Sequence, residues 1–574
     1  MLEVGTKRGG RSVSLTDLER TRHIHIVGSI GSGKSKLMEH MIRQDISARR
    51  GLCLIDPKGS LADDIERWCA SRGLSQTRRI HIVKPGDGAW TPGFNPLRLD
   101  RGELPNVRVD AAVAACSQVW GGEDLNQTPR LKKILRAVFF ALAVRDLTIS
   151  EAPFLLRAND PDGTRQTLTA GLPDSVFQFI WDDLNALSRR EFSEIAESTV
   201  SRLTQFLTSP AVRLMLGQQT CAIDFKKVMD EGDIVIVNLG GRAGFSYEDA
   251  RVVGTLITND LFHTARARDE QTAKRHPFSL YVDEAHDFLT ADVGRMLDLT
   301  RSLGLHAVLA HQRIGQLVDK GQNIFSAFMG STRTKIVFGG LDDTDGEIMA
   351  RELMRDELDL EEAKPILDRL AVVGEEPFWL ESENWSESDS EATSSTETSS
   401  WSESSGVSSS GGDSFRVAEG GEAEQSGAFT SESQSSGSAV GGGRSDTQSS
   451  AHSSTSGGGR NQTLKSVRQV VETPYTLEEQ LHRAIVKVRY LPDRFAIIKR
   501  AGHRSVRIRT RDVAAPLCTP AMVDRFRTRT CSASPYVASL ESAEAEIEAR
   551  QSTLTVQAAA GREVAPDDSA FHSE

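Results

Sequence analysis

Through the first 379 residues, short apolar runs alternate with stretches of helical periodicity. The runs are His23–Val27, Leu52–Asp56, Ile80–Lys84, Ile234–Leu239, Leu280–Asp283, Ala307–His311 and Lys335–Gly339. Each is apolar at nearly every position rather than at alternate ones, the pattern of a strand covered on both faces. Such strands separated by helices predict an α/β fold, a parallel sheet flanked by helices. From about Gly102 to Phe225 the alternation stops and β-branched runs are few. There the segment 131-LKKILRAVFFALAVRD-146 repeats its apolar positions at helical spacing, which predicts an inserted all-helical lobe. Beyond 379 the pattern lapses, then resumes with a helix over Leu477–Val488 and strands over Phe495–Lys499 and Val506–Arg511. The tail beyond Leu554 reads as frayed.

The 574-residue length leaves room for several domains. The pattern divides the chain into a first core part (1–101), an all-helical insertion (102–225) and a second core part (226–379). A linker follows (380–463), then a basic segment that completes or docks on the core (464–537) and a helical, then disordered tail (538–574). Serine fills about a third of the linker, which also carries runs of glycine. A stretch of that kind cannot bury enough apolar area to offset its ordering entropy, so it is expected to be disordered.

Charge is distributed just as unevenly. Between Leu380 and Gln462 there are 13 acidic and 3 basic residues, so this stretch supplies most of the net charge of -12. From Leu464 to Thr530 the balance reverses, with 15 Lys and Arg against 6 Asp and Glu. The global acidity therefore says nothing against a nucleic-acid partner. Six scattered cysteines, without C-x-x-C or histidine clusters, argue against a zinc site or a disulfide framework and fit a reducing cytoplasm. No 18-residue apolar run and no signal-peptide pattern is present, so a soluble, cytoplasmic chain without an intrinsic membrane span is expected.

The chemistry is concentrated in a few motifs. The run 28-GSIGSGKS-35 (Gly28, Ser29, Ile30, Gly31, Ser32, Gly33, Lys34, Ser35) matches G-x-x-x-x-G-K-[ST] at every fixed position. It follows an apolar strand and precedes a helical run, the context that the motif demands. Its glycines let backbone N–H groups turn inward as an anion nest at a helix N-terminus. Lys34 would reach the β- and γ-phosphates of ATP, and the Ser35 hydroxyl would ligate Mg²⁺. The run 278-FSLYVDEAH-286 ends an apolar strand in two acids. Asp283 sits where a carboxylate can hold Mg²⁺ beside Ser35, and Glu284 is the candidate base that polarises the attacking water. Taken alone, the pair would read as an acidic cap on the next helix. The letters D-E-A-H are those of a helicase box, but the rest of that pattern is missing.

Gln312 ends the strand 306-HAVLAHQ-312, and Arg301 closes the preceding helix. An amide at the first position can hydrogen-bond a γ-phosphate and a water, and an arginine at the second can point toward a neighbouring subunit. The plain alternatives are a capping amide and a solvated helix-end arginine.

The runs 21-TRHIHIVGSIGSGKSKLMEHMIRQDI-46, 54-LIDPKGSLADDI-65, 94-FNPL-97, 234-IVIVNLGGRAG-244, the acid strand, 301-RSLGLHAVLAHQ-312 and 332-TRTKIVFG-339 occur in this order. Together they resemble the HerA/FtsK superfamily of ring-forming, DNA-pumping ATPases. Within it the chain is most similar to the soluble motor part of conjugative, type IV secretion coupling proteins of the TraG/TraD type. The resemblance covers about residues 20–350, with a weaker echo near Pro474–Thr510. It implies a P-loop, RecA-like core that binds ATP and Mg²⁺. In that core Lys34 and Ser35 act on nucleotide and metal, Asp283 on Mg²⁺, and Glu284 as base. Gln312 becomes the γ-phosphate sensor and Arg301 an arginine finger supplied in trans, hence a homo-hexameric ring. Asp56 and Lys58 match a motif of the family to which no role is assigned. Relaxase or secretion-channel partners are implied too. Coupling proteins usually carry membrane helices, and with none here membrane recruitment would fall to a partner.

For DNA itself, Arg507, Arg509 and Arg511 alternate along a strand with Lys499, Arg500 and Arg504 nearby. That face reads either as a phosphate-contacting hairpin or as a charged, solvated edge strand. Arg130, Lys132, Lys133 and Arg136 on the insertion are ambiguous in the same way. The leading expectation is a ring-forming, ATP-driven DNA translocase acting in conjugative transfer or related DNA processing. The alternatives are a motor for protein export and a nucleotide-dependent scaffold.

Overall fold

The computed structural model describes residues 1–100, 102–120, 129–241, 244–289, 293–318, 322–354 and 475–564, and between 370 and 470 strand segments alone. The chain divides into two compact units, Met1–Leu358 with Leu477–Glu574, and Asp359–Thr476.

The first unit is built on one eleven-stranded sheet. Its central strands run parallel in the order Thr334–Phe338, Ile24–Val27, Leu305–His311, Phe278–Val282, Gly51–Asp56, Ile234–Asn238 and Ile80–Val83. These are the expected runs, with ends moved by a residue or two, and every position in them is buried. The pleat sends alternate residues to opposite faces. Cys53, Ile55, Val235, Val237, Leu280, Val282, Ala307 and Leu309 belong to a core shared with the helical lobe. Leu52, Leu54, Ile234, Ile236, Tyr281, Val308 and Ala310 belong to a second core, with Leu37, Met41 and Ile42 of helix Lys34–Ser47 and Leu61 and Ile65 of helix Ser60–Ser71. Each large aliphatic side chain buried this way contributes about 1.5–3 kcal/mol relative to exposure. Uninterrupted apolar runs are therefore the local consequence of a sheet with helices on both faces.

Antiparallel strands carry the sheet past Thr334–Phe338: Phe495–Lys499, Val506–Arg509, Leu2–Thr6 and Ser12–Leu15. Segments from both ends of the sequence thus complete one side of the same sheet. The strand expected over Val506–Arg511 stops at Arg509 and lies between two others, so the edge-strand reading of it is corrected. The strands at Leu2–Thr6 and Ser12–Leu15 were not anticipated, being short, rich in small residues and interrupted by a register shift at Gly5.

From Pro105 to Glu231 the described regular elements are all helical. Helix Pro129–Val144 buries Leu131, Leu135, Val138, Phe139 and Leu142. Phe140 stacks on Phe177 with centroids 4.0 Å apart, and the Trp181 indole donates to the Ala137 carbonyl at 3.2 Å. Helix Tyr247–Arg266, begun by a capping box of Ser246 and Asp249, joins this lobe to the sheet. Its Asn259 donates to the Ala111 carbonyl at 2.5 Å, and its Asp260 pairs with the buried Arg108. The last helix, Leu540–Val564, is pinned to the lobe, with Arg550 3.0 Å from Glu151 and Glu546 accepting from the Gln219 amide at 2.8 Å.

In the second unit the described strands pair antiparallel: Leu370–Glu381 with Arg460–Val470, Ser390–Thr396 with Ser445–Ala451, Ser409–Gly412 with Phe429–Glu432, and Phe415–Val417 with Ala423–Gln425. Apart from these strands, the linker expected to be disordered, 380–463, lies outside the described residues.

Candidate active site

Four neighbouring strands, Ile24–Val27, Leu305–His311, Phe278–Val282 and Gly51–Asp56, point the same way. Their carboxyl ends therefore release the phosphate loop, Gln312, Asp283–Glu284 and the turn Pro57–Gly59 side by side. In open parallel sheets this is the end where ligands bind.

The phosphate loop is held by its neighbours. At Gly28 a Cβ would stand 2.5 Å from the Phe338 Cβ, so no larger residue fits. Gly33, at φ 113°, begins helix Lys34–Ser47 in the left-handed region open to glycine. The Ser29 amide donates to the Gly339 carbonyl at 3.2 Å, and the Arg494 amide donates to the Ser32 carbonyl at 2.9 Å. Ile30, at the loop tip, is 80% exposed. Lys34 Nζ turns back on the loop, donating to the carbonyls of Gly28 at 2.5 Å and Ser29 at 2.9 Å. Burial pushes its pKa down, against the pull of Glu284 and Asp283.

The metal-binding expectation places Ser35 next to Asp283, and the hydroxyl lies 3.5 Å from Asp283 Oδ2. Burial, with the carboxylates of Asp56 and Glu284 nearby, pushes the Asp283 pKa up to about 6. A hydroxyl and a crowded carboxylate are hard oxygen donors that suit Mg²⁺, which completes its shell with waters and phosphate oxygens rather than with an all-protein cage. Among the described residues no group of three or more His, Cys, Asp or Glu is arranged to hold a metal ion.

Glu284 is the hub of the cluster. Its backbone is left-handed, φ 47° and ψ 46°, and its side chain is 6% exposed. Both Lys58 Nζ and Gln312 Nε2 donate to its Oε1. Its Oε2 is buried and accepts no hydrogen bond from a described residue, with His286 Nδ1 3.6 Å away. Beyond it, His286 Nε2 stands 3.5 Å from Asp287 Oδ1, and the Tyr247 hydroxyl donates to Asp287 Oδ2 at 2.5 Å.

Sequence reasoning left Asp56 and Lys58 without roles. Asp56 is fully buried and accepts from the amides of Lys58 and Ala62, each at 2.9 Å. It thereby fixes the turn that opens helix Ser60–Ser71 and delivers Lys58 to Glu284. An aspartate two residues before a lysine hints at such a turn, but no sequence signal gives the partner 226 positions away. Arg301 does not join the cluster. It is exposed on the short turn that precedes Leu305–His311, at the opposite end of that strand from Gln312.

Of the basic candidates, Arg507 and Arg509 share an exposed face with Ile508 turned inward, and the Arg507 guanidinium lies 4.6 Å over the Phe495 ring. Arg504 is exposed too, and the others are partly committed: Arg500 lies 3.3 Å from Glu19, Arg511 lies 2.8 Å from Glu3, and Lys499 is buried. On the insertion, Arg130 and Lys133 are exposed while Arg136 pairs with Asp110 at 2.8 Å.

No protein-family model and no curated protein matches the chain. Among solved structures, the chain is similar to the plasmid coupling protein TrwB in complex with a non-hydrolysable ATP analogue. That match has 15% identity and a TM-score of 0.49, over 90% of this chain and 91% of that one. An unbound form of the bacterial conjugative coupling protein TrwB gives 14% identity and a TM-score of 0.48 over 90% of each chain. VirB4 of Thermoanaerobacter pseudethanolicus gives 15% identity and a TM-score of 0.40, over 62% of this chain and 88% of that one.

Proposed function

We propose that the chain is an Mg²⁺-dependent ATPase that works as a ring, homo-hexameric by the resemblance, and drives DNA translocation in conjugative transfer or a related process. The observation that carries the catalytic part is the convergence of Lys34, Ser35, Asp283, Glu284 and Gln312 at the ends of adjacent parallel strands. In this reading the loop amides and Lys34 bind the phosphates, and Lys34 exchanges its loop carbonyls for phosphate oxygens. Ser35 and Asp283 would hold Mg²⁺, which neutralises charge on the β- and γ-oxygens when bound. Glu284 Oε2, the acceptor left open, takes the proton of the attacking water, and Gln312 orients that water against the γ-phosphate.

The DNA part rests on the order of sequence motifs and on the exposed arginines Arg507, Arg509 and Arg130. Among the described residues no helix is long and apolar enough to cross a membrane. Relaxase and secretion-channel partners, cytoplasmic residence and recruitment to a membrane by a partner belong to the same reading.

Steady-state ATP turnover is the test, measured without DNA and with single- or double-stranded DNA at low and moderate salt, with Glu284→Gln as background. Stimulation by one form of DNA that fades with salt is the expected result. Turnover indifferent to every DNA would replace DNA with a polypeptide client, the protein-export alternative. Wild-type turnover no higher than the Glu284→Gln background would leave a nucleotide-dependent scaffold.

A further inference from the structure

We propose that Lys58 is a positioning residue of the hydrolysis site, holding one oxygen of Glu284 so that the other faces the attacking water. The inference rests on the ATPase reading of the site and assigns a part of it that the motifs left without a role.

Lys58 stands on a turn that is fixed independently of the phosphate loop. Its own amide is bonded to Asp56, which is fully buried and also caps the start of helix Ser60–Ser71. Gly59 then takes φ 78° with Asn238 and Gly240 packed against it, where a Cβ would meet Asn238 Oδ1 at 2.5 Å. The main chain under Lys58 is therefore rigid, and the side chain extends from it to Glu284 Oε1. That oxygen already accepts the Gln312 amide. Two donors from two different strand ends on one oxygen fix the rotation of the carboxylate and leave Oε2, buried and without a hydrogen bond, as the acceptor.

The cluster is rich in acids, with Asp56 and the pair Asp283–Glu284 at the ends of adjacent strands, and Lys58 is a cation bonded into it. Lys34, the other ammonium nearby, is bonded to loop carbonyls in this structure and is the group that the phosphates engage. Lys58 itself is half exposed at its side chain while Glu284 is not, so its hydration is largely kept and its removal exposes no core. A merely solvated lysine would have no reason to end on the carboxylate of a side chain that is only 6% exposed.

The test compares Lys58→Met and Lys58→Arg in the full chain with wild type and Glu284→Gln. Steady-state turnover and equilibrium binding of a fluorescent non-hydrolysable ATP analogue would both be read. The expected result is a fall of about 10–100-fold in kcat for Lys58→Met, the size of effect that misplacing a catalytic group produces. KM and analogue affinity should stay within about twofold, and Lys58→Arg should regain part of the lost kcat because its guanidinium can reach the same oxygen. Wild-type kcat in Lys58→Met, beside an inactive Glu284→Gln, would overturn the role of Lys58 and leave the ATPase intact. A loss of analogue affinity matching the loss of kcat would overturn positioning in favour of phosphate binding. Wild-type turnover no higher than that of Glu284→Gln would overturn the ATPase reading itself.

Discussion

Glu284 sits at φ 47°, a left-handed conformation that costs a residue with a side chain on the order of 1–3 kcal/mol. The Lys58 and Gln312 bonds to the carboxylate offset part of that cost. Glu284→Gln keeps the shape and removes the basic oxygen, so turnover should fall by at least about 100-fold while ATP-analogue affinity persists. Near-wild-type turnover would remove Glu284 from the mechanism. A different group of buried residues governs acid stability. Burial lowers the pKa values of His23 and His263 to about 4, of His306 and His311 to about 3, and of His25 well below its ordinary value. The unfolded chain protonates these five near pH 6.5 and the folded chain does not, so each removes up to about 1.4 kcal/mol of stability per pH unit below 6.5. Asp260 and Asp283, raised to about 6, act in the opposite sense, as do the raised Asp56, Asp100 and Asp345. But Asp260 and Asp283 take up protons only as the pH falls past about 6, later than the unfolded imidazoles do. The urea midpoint should therefore drop between pH 7.5 and 5.5, and an equal or higher midpoint at 5.5 would contradict the burial of these imidazoles. At this scale the placement of Lys34, Ser35, Asp283, Glu284 and Gln312 beyond strand ends was legible in the sequence, because each motif directly follows an apolar run. The His25–His311 contact at 2.6 Å was not, because it depends on the pairing of two distant strands.

The parallel strands were legible for a physical reason: burial on both faces removes polar residues from the whole run, leaving a signal that survives without knowledge of the partners. The C-terminal hairpin gave a strand signal too, but its place in the sheet is a non-local choice. Phe495–Lys499 joins Thr334–Phe338 across the entire second unit in sequence. That docking has a consequence at the phosphate loop. The Gly340 amide donates to the Arg489 carbonyl at 2.9 Å, and the next turn of chain brings the Arg494 amide to Ser32. Residues 489–494 thus brace the loop from a segment that shares no motif with it. Gly339 lies at the contact, where a Cβ would stand 2.3 Å from the Leu491 carbonyl oxygen, and backbone cannot give way as a flexible side chain can. Gly339→Ala should cost about 1–3 kcal/mol of stability and weaken ATP-analogue binding. Unchanged affinity in a variant with a lowered thermal midpoint would show that the brace supports the fold without supporting the nucleotide site.

For the molecule as a whole, the proposed ring can be tested at Arg301. The strand Leu305–His311 runs from the Arg301 turn at one end to Gln312 at the other, so the arginine lies away from the phosphate loop of its own chain. In a head-to-tail ring each interface joins one surface of a subunit to a different surface of the next. An exposed arginine opposite the nucleotide can then serve the neighbour's site. The sequence placed Arg301 at a helix end, but whether it faces a neighbouring subunit is set by assembly, which no local pattern in one chain shows. Arg301→Ala should lower turnover by about 10³-fold, as loss of a trans finger does elsewhere. Mixed with Glu284→Gln subunits it should recover, because some interfaces then join an intact base in one subunit to an intact arginine in the other. In a random equal mixture about a quarter of the interfaces have that arrangement. Turnover should rise toward that share when the subunits are mixed before assembly, and stay at background when preformed rings of each variant are combined. If mixing before assembly restores nothing, Arg301 acts on no neighbour, and the charge that offsets the transition state must come from another side chain.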